Sequence, residues 1–124
     1  MLYREEKKLS FFQSELLLSA GIVHHGFFTK GLLNTSFDEP SLPPVLGHVL
    51  ERFSLKSMTY MDQVHATDIA LVNHFPVKKR WQCVRGVDGL MTQEERQGLL
   101  VKHADCQAAL IFDPKNRVVA ALHV

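Results

Sequence analysis

Three apolar segments at the C-terminal end constrain this chain more than any other feature. They are Gly98 to His103, Ala108 to Phe112 and Arg117 to His123. Each is too short and too rich in β-branched and aliphatic residues for a helix, so each reads as a strand. Asp113-Pro114-Lys115-Asn116 between the last two has turn chemistry, which predicts a hairpin. The final segment, Val118 to Val124, carries no cap, turn or polar tail after it. The expectation is a domain cut short at its C-terminal end.

The rest of the chain continues the theme. Leu9 to Leu18 shows no helical stripe and reads as a strand or two. Gly21 to Lys30 is β-branched and aromatic around Gly26, which predicts a strand with a close backbone approach at that glycine. Gly31 to Pro44 contains Asn34, Asp38, Pro40, Pro43 and Pro44 and reads as a loop. Val45, Val49, Leu50 and Phe53 fall at helical spacing, giving a short amphipathic helix that ends near Ser54. Ser57 to Val64, Asp68 to Val72 and Val87 to Thr92 are further strands. Asn73 to Arg85 is expected to be a polar loop, and Gln93 to Gln97 a turn.

The bulk numbers remove several classes of function. With 124 residues, 46% hydrophobic and 22% charged, the composition is that of an ordinary globular domain. The formal charge is +1, and the nearest thing to a basic cluster is Lys78-Lys79-Arg80, so neither nucleic acid nor a membrane surface is the expected partner. No apolar run reaches the roughly 18 residues that a membrane span needs. The N-terminal segment is acidic and basic rather than apolar, which does not read as a signal peptide, and the expected compartment is the cytoplasm. In a reducing compartment Cys83 and Cys106 would not form a structural disulfide.

Three places set a soft or borderline ligand beside a strand end: His65 in Gln63-Val64-His65, Cys106 after Ala104-Asp105, and His123 at the end of the last strand. These are too dispersed for a finger, and a structural four-ligand zinc site lacks its second cysteine pair. Two imidazoles and one thiolate nevertheless form a known catalytic zinc set with the fourth position open to water or substrate. Zinc there would activate water, polarise a carbonyl or phosphate oxygen, and hold Cys106 as thiolate. Copper is second choice, because Met58, Met61 and Met91 do not follow the cysteine–histidine pair as an axial ligand would. The plain alternative is a small buried cysteine and unrelated histidines.

The order of short motifs adds to this. His25-Gly26-Phe27-Phe28-Thr29-Lys30, Gln63-Val64-His65, Val87-Asp88-Gly89-Leu90-Met91-Thr92, Ala104-Asp105-Cys106, Asp113-Pro114 and Ala120-Ala121-Leu122-His123 occur in sequence. In that order they resemble the YfiH-type laccase-domain family, also called polyphenol oxidase, purine nucleoside phosphorylase or peptidoglycan editing factor. The likeness runs from about His25 to Val124. It implies an α/β fold, a mixed-sheet layered sandwich of the YfiH/CNF-like type, strand-rich with few helices, seen here in part. It implies one laccase-type domain over residues 1–124, in a family whose members are about twice as long. It also implies zinc on His65, Cys106 and His123, the last opening a His-x-Gly-Trp-Arg-Gly motif. Departures from the family pattern are Lys30 in place of arginine, Gly31-Leu32-Leu33-Asn34 in place of a glycine-rich stretch, Ala66 after His65, and Gln107-Ala108 after Cys106. They bear on substrate detail more than on the metal ligands.

The activity this resemblance implies is zinc-dependent phosphorolysis of adenosine or inosine, with adenosine deamination as a further activity. Alternatives are an amidase or hydrolase acting on a peptidoglycan precursor at the same site, a metal-free Cys106 nucleophile, and a non-catalytic binding domain. The expected partners are a purine nucleoside and phosphate. His65, Cys106 and His123 are the candidate catalytic set, and His25, Lys30 and His103 the candidate substrate contacts. His24 reads as surface. Asp105 could orient an imidazole or cap a turn, Asp88 could bond to backbone, Cys83 is assigned no role, and Arg85 and Lys102 read as phosphate contacts or, more simply, as solvated surface charges.

Overall fold

In the computed structural model of the chain, residues 1–6, 9–22, 24–28, 43–73 and 79–124 are described. They form two units, Met1–Phe53 and Ser54–Val124.

In the first unit, β1 (Leu2–Glu5) pairs antiparallel with β2 (Ser10–Gln13), and β2 pairs with β3 (Phe27–Phe28). Immediately after β2 the chain turns into helix α1 (Glu15–Ser19), so the expectation of strand alone over Leu9 to Leu18 is corrected. Ser14 is the cause. Its backbone is extended, its hydroxyl accepts the Leu17 N–H at 3.3 Å, and Glu15 occupies the first turn. The strand expected over Gly21 to Lys30 shrinks to Phe27–Phe28 among the described residues. The close approach at Gly26 is real, since a Cβ there would lie 3.0 Å from Phe11 Cδ2. Of the expected loop Gly31 to Pro44, residues 31–42 lie outside the described residues, and Pro44 already belongs to the next helix.

Helix α2 (Pro44–Arg52) matches the helical spacing, with proline at its first position, where a missing N–H costs nothing. It buries Leu46, Val49 and Leu50. Phe53 follows and meets Phe11 edge-on at 5.6 Å between centroids, while Phe11 also meets Phe28 at 5.3 Å.

The second unit holds two sheets. In one, β4 (Ser57–Asp62) lies between β6 (Trp81–Arg85) and β8 (Gln97–Leu100), parallel to both. Every residue from Ser57 to Met61 is buried, as a central parallel strand requires. The other sheet runs β5 (Ile69–Leu71), β7 (Gly89–Thr92), β10 (Val118–His123), β9 (Ala108–Asp113). Its first pair is parallel and the other two antiparallel, so the sheet is mixed. Met61 from the first sheet and Leu90 from the second are fully buried in one cluster with Val72, flanked by Ala70, Val84, Val87, Leu99 and Val101. The strand-rich, mixed-sheet α/β class expected from sequence is the one observed.

The loop expected over Asn73 to Arg85 is corrected at its end, where Trp81–Arg85 is a strand. Its stability comes from a distant partner: Met58 pairs with Trp81 through to Asp62 with Arg85, and Trp81 stacks on Tyr60 at 4.3 Å. The predicted hairpin forms between β9 and β10. Asp113 closes its turn by accepting the backbone N–H groups of Lys115 and Asn116, together with the Asn116 side-chain amide at 2.7 Å.

Candidate metal centre

Three chain segments of the second unit converge beyond the ends of its strands. The first leaves β4 through Gln63, Val64 and His65. Backbone continuity alone would let that segment splay, but the Gln63 side chain continues the pairing where the strand stops. Its Nε2 donates to the Lys102 carbonyl and its Oε1 accepts the Lys102 N–H, both at 2.8 Å. The second segment is the bend 104–106 that carries Cys106 into β9, and the third is the end of β10 with His123.

His65 has φ +60°, a left-handed conformation uncommon outside glycine. Asp88 accounts for it. Its Oδ1 accepts the N–H groups of Val64 and Ala66, and its Oδ2 accepts that of His65, each at 3.0 Å. Three successive N–H groups turned toward one anion form a nest, which needs a left-handed residue. The same Oδ2 accepts the His123 Nδ1–H at 2.8 Å, and the Asp88 carbonyl accepts the His123 backbone N–H at 2.8 Å. The Ala66 N–H and the His123 ring are the main reasons the Asp88 carboxyl sits well below the usual carboxylate range; burial opposes them, and Val64 and His65 add to them.

With Nδ1 committed to Asp88, His123 presents Nε2 outward. The His65 and His123 rings lie edge-to-face, 5.1 Å between centroids. One ligand atom from each of His65, Cys106 and His123 falls within 4.8 Å of the others. Tetrahedral zinc sets such atoms roughly 3.3–3.6 Å apart, and the three donors, within 4.8 Å of one another, stand near that spacing. The donor chemistry fits as well: two imidazoles, one thiol, and a carboxylate behind one imidazole, the usual support of a metal-bound histidine. Among the described residues no other group of three or more such side chains could hold a metal ion.

Residues 46–124 match the model of the multi-copper polyphenol oxidoreductase laccase family. The chain belongs to that family. All three convergent residues lie inside the stretch matched to this laccase family, and the match bears out the resemblance read from the ordered motifs. Two curated relatives are named purine nucleoside phosphorylase. One, from Corynebacterium glutamicum, is 32% identical over 66 residues, 53% of this chain and 26% of the relative. The other, from Bacteroides thetaiotaomicron, is 32% identical over 65 residues, 49% of this chain and 24% of the relative. The match thus spans about a quarter of the length of each.

The other sequence candidates are placed differently in this laccase-family chain. His25 is buried in the first unit, and both ring nitrogens are engaged by backbone: Nδ1–H donates to the Ile22 carbonyl and Nε2 accepts the Ser14 N–H, each at 2.8 Å. His24 is exposed, as expected, and stacks on Phe53. Lys30 lies outside the described residues. His103 is exposed, three residues before Cys106. Arg85 pairs with Asp62 at 3.9 Å on the surface, and Lys102 lies over the Tyr60 ring. Cys83 belongs to β6 rather than to a loop. The carboxylate that orients an imidazole is Asp88, the part considered for Asp105. Sequence reasoning anticipated the backbone bonds of Asp88 but not its hold on His123. The single hint was an acidic residue immediately before a glycine and a strand.

Proposed function

We propose that this chain carries the zinc site of a purine nucleoside phosphorylase, with His65, Cys106 and His123 as the ligands. The observation that carries the reading is the convergence of those three donor atoms within 4.8 Å, backed by Asp88 behind His123. The names of the two relatives supply the substrate class, a purine nucleoside with phosphate as acceptor. Zinc on this set would activate water or polarise a phosphate oxygen at its open position.

The chain's own groups do the rest. Asp88 keeps His123 in the tautomer whose Nε2 lone pair faces the cluster. Gln63 ties the His65 segment to the stretch leading to Cys106. His65 is the exposed member of the set, so it is the side from which a small molecule would approach. His103, exposed beside Cys106 in sequence, stays in the proposal as a substrate contact. His25 has no free ring nitrogen and enters only as support for the first unit's backbone. Adenosine and inosine are the substrates assigned to the site. Adenosine deamination suits the same ligand set, because an activated water is the nucleophile it requires. The compartment assigned is the cytoplasm.

Purified chain is assayed for bound metal and for base release from inosine and adenosine, with and without phosphate. The expected result is one zinc per chain, lost in Cys106→Ala, and phosphate-dependent release of hypoxanthine from inosine. Retention of metal and turnover by Cys106→Ala would sink the assignment. Ammonia release from adenosine with no phosphate-dependent base release from either nucleoside would move the function to deamination.

A further inference from the structure

Asp88 touches both imidazole ligands by different routes. Toward His65 it acts on backbone, through the N–H groups of Val64, His65 and Ala66; toward His123 it acts on the ring. A carboxylate offers about four acceptor sites, and those four donors fill them. The Asp88 side chain is 3% exposed and that of His123 is 5% exposed, so neither can exchange its partner for water without opening the unit. The backbone of Asp88 is fixed too, donating to the Asp68 carbonyl and accepting from His123.

We propose that Asp88 is a positioning residue that sets both imidazoles in metal-binding geometry before any ion arrives. The inference rests on the reading of His65, Cys106 and His123 as ligands, and deepens it. Asparagine at this position has nearly the same shape but the wrong polarity. It accepts at one atom and donates at the other, so its N–H must stand either in the Oδ1 place, against Val64 and Ala66, or in the Oδ2 place, against His65 and His123. In the Oδ1 place it meets two nest N–H groups with N–H and releases the left-handed turn at His65. In the Oδ2 place it meets the His65 N–H in the same way and requires His123 Nδ1 as acceptor, which places the proton on Nε2 and removes the lone pair that would meet the ion. Either way one imidazole is lost as a pre-set ligand.

The test uses the 124-residue chain, metal-free and then titrated with Co²⁺. Imidazole nitrogen shifts in the metal-free wild type are expected to show His123 protonated at Nδ1. Asp88→Asn is expected to change that tautomer or the backbone signals of residues 64–66, and to weaken Co²⁺ binding by about 10–100-fold with an altered visible spectrum. A wild-type His123 protonated at Nε2 overturns the proposal whether or not the variant folds. So does an Asp88→Asn chain that binds Co²⁺ within twofold of wild type with unchanged His123 shifts. No Co²⁺ uptake by the wild type overturns the metal reading, and this inference with it; normal wild-type uptake with an unaffected Asp88→Asn overturns this inference alone.

Discussion

Asp88 and His123 meet twice, once through the carboxylate Oδ2 and the ring Nδ1–H and once through the Asp88 carbonyl and the His123 N–H, both at 2.8 Å. The double contact joins the start of β7 to the end of β10, two strands already paired through Gly89 and Leu122. The ring of a candidate ligand is thereby fixed from its backbone and from its far edge at once.

Gly89, next to Asp88, allows that approach. A Cβ there would lie 2.7 Å from Leu122 Cδ2 and 2.8 Å from Ile69 Cγ1. Gly89→Ala is therefore expected to destabilise the chain by about 1–3 kcal/mol, the usual result of overpacking. Because Leu122 precedes His123, metal affinity should fall as well. Urea unfolding together with Co²⁺ titration measures both, and an alanine variant unchanged in both contradicts the packing account.

His65 pays a backbone strain for its place in the nest. His65→Gly removes the strain and an exposed side chain, so stability should rise by roughly 0.5–1 kcal/mol, while on the proposed ligand set metal binding should be lost. Metal content and the chemical-denaturation midpoint separate the two effects. A glycine variant that binds metal as the wild type does would show that His65 is no ligand.

Leu90 is fully buried at the junction of the two sheets of the second unit. Leu90→Ala is expected to cost about 2–5 kcal/mol, from lost transfer energy and the cavity left behind. The denaturation midpoint reads this directly, and a loss below 1 kcal/mol would mean that the sheets do not share the packing described.

His25 supplies a pH dependence. Its burial, partly offset by the Ile22 and Ser14 backbone bonds, lowers its pKa below the ordinary value of 6.5. The unfolded chain then binds a proton more readily than the folded one, so stability rises with pH across the interval between the two values. The contribution is complete above about pH 6.5 and is lost as pH falls through the folded pKa. Melting temperature between pH 7.5 and 5 should fall in the wild type more steeply than in His25→Gln. Equal slopes would remove His25 as the cause.

The features legible in the sequence were those held by local chemistry. The β9–β10 hairpin follows from Asp113 and Asn116, whose side chains close the turn by themselves. Helix α2 follows from the apolar spacing of Val45, Val49, Leu50 and Phe53, although Pro44, read as loop, is its first residue. Strand β6 was missed because Trp81-Gln82-Cys83-Val84-Arg85 resembles a polar loop until it lies beside β4, and that parallel pairing joins residues more than twenty apart. Helix α1 was missed because its five residues show no stripe, and a single serine cap diverts the chain.

By itself the sequence determined which residues could bind: two histidines and a cysteine at the ends of strands, in motifs whose order identified the family. Ligand chemistry belongs to side-chain type, and type is written in the chain. Only the tertiary structure decided that the three donors meet and that Asp88 supports them. That support depends on a left-handed turn at His65 and on strands β7 and β10 lying side by side. Both arise from hydrogen bonds between residues 22 to 35 positions apart, which no local pattern of residues can specify.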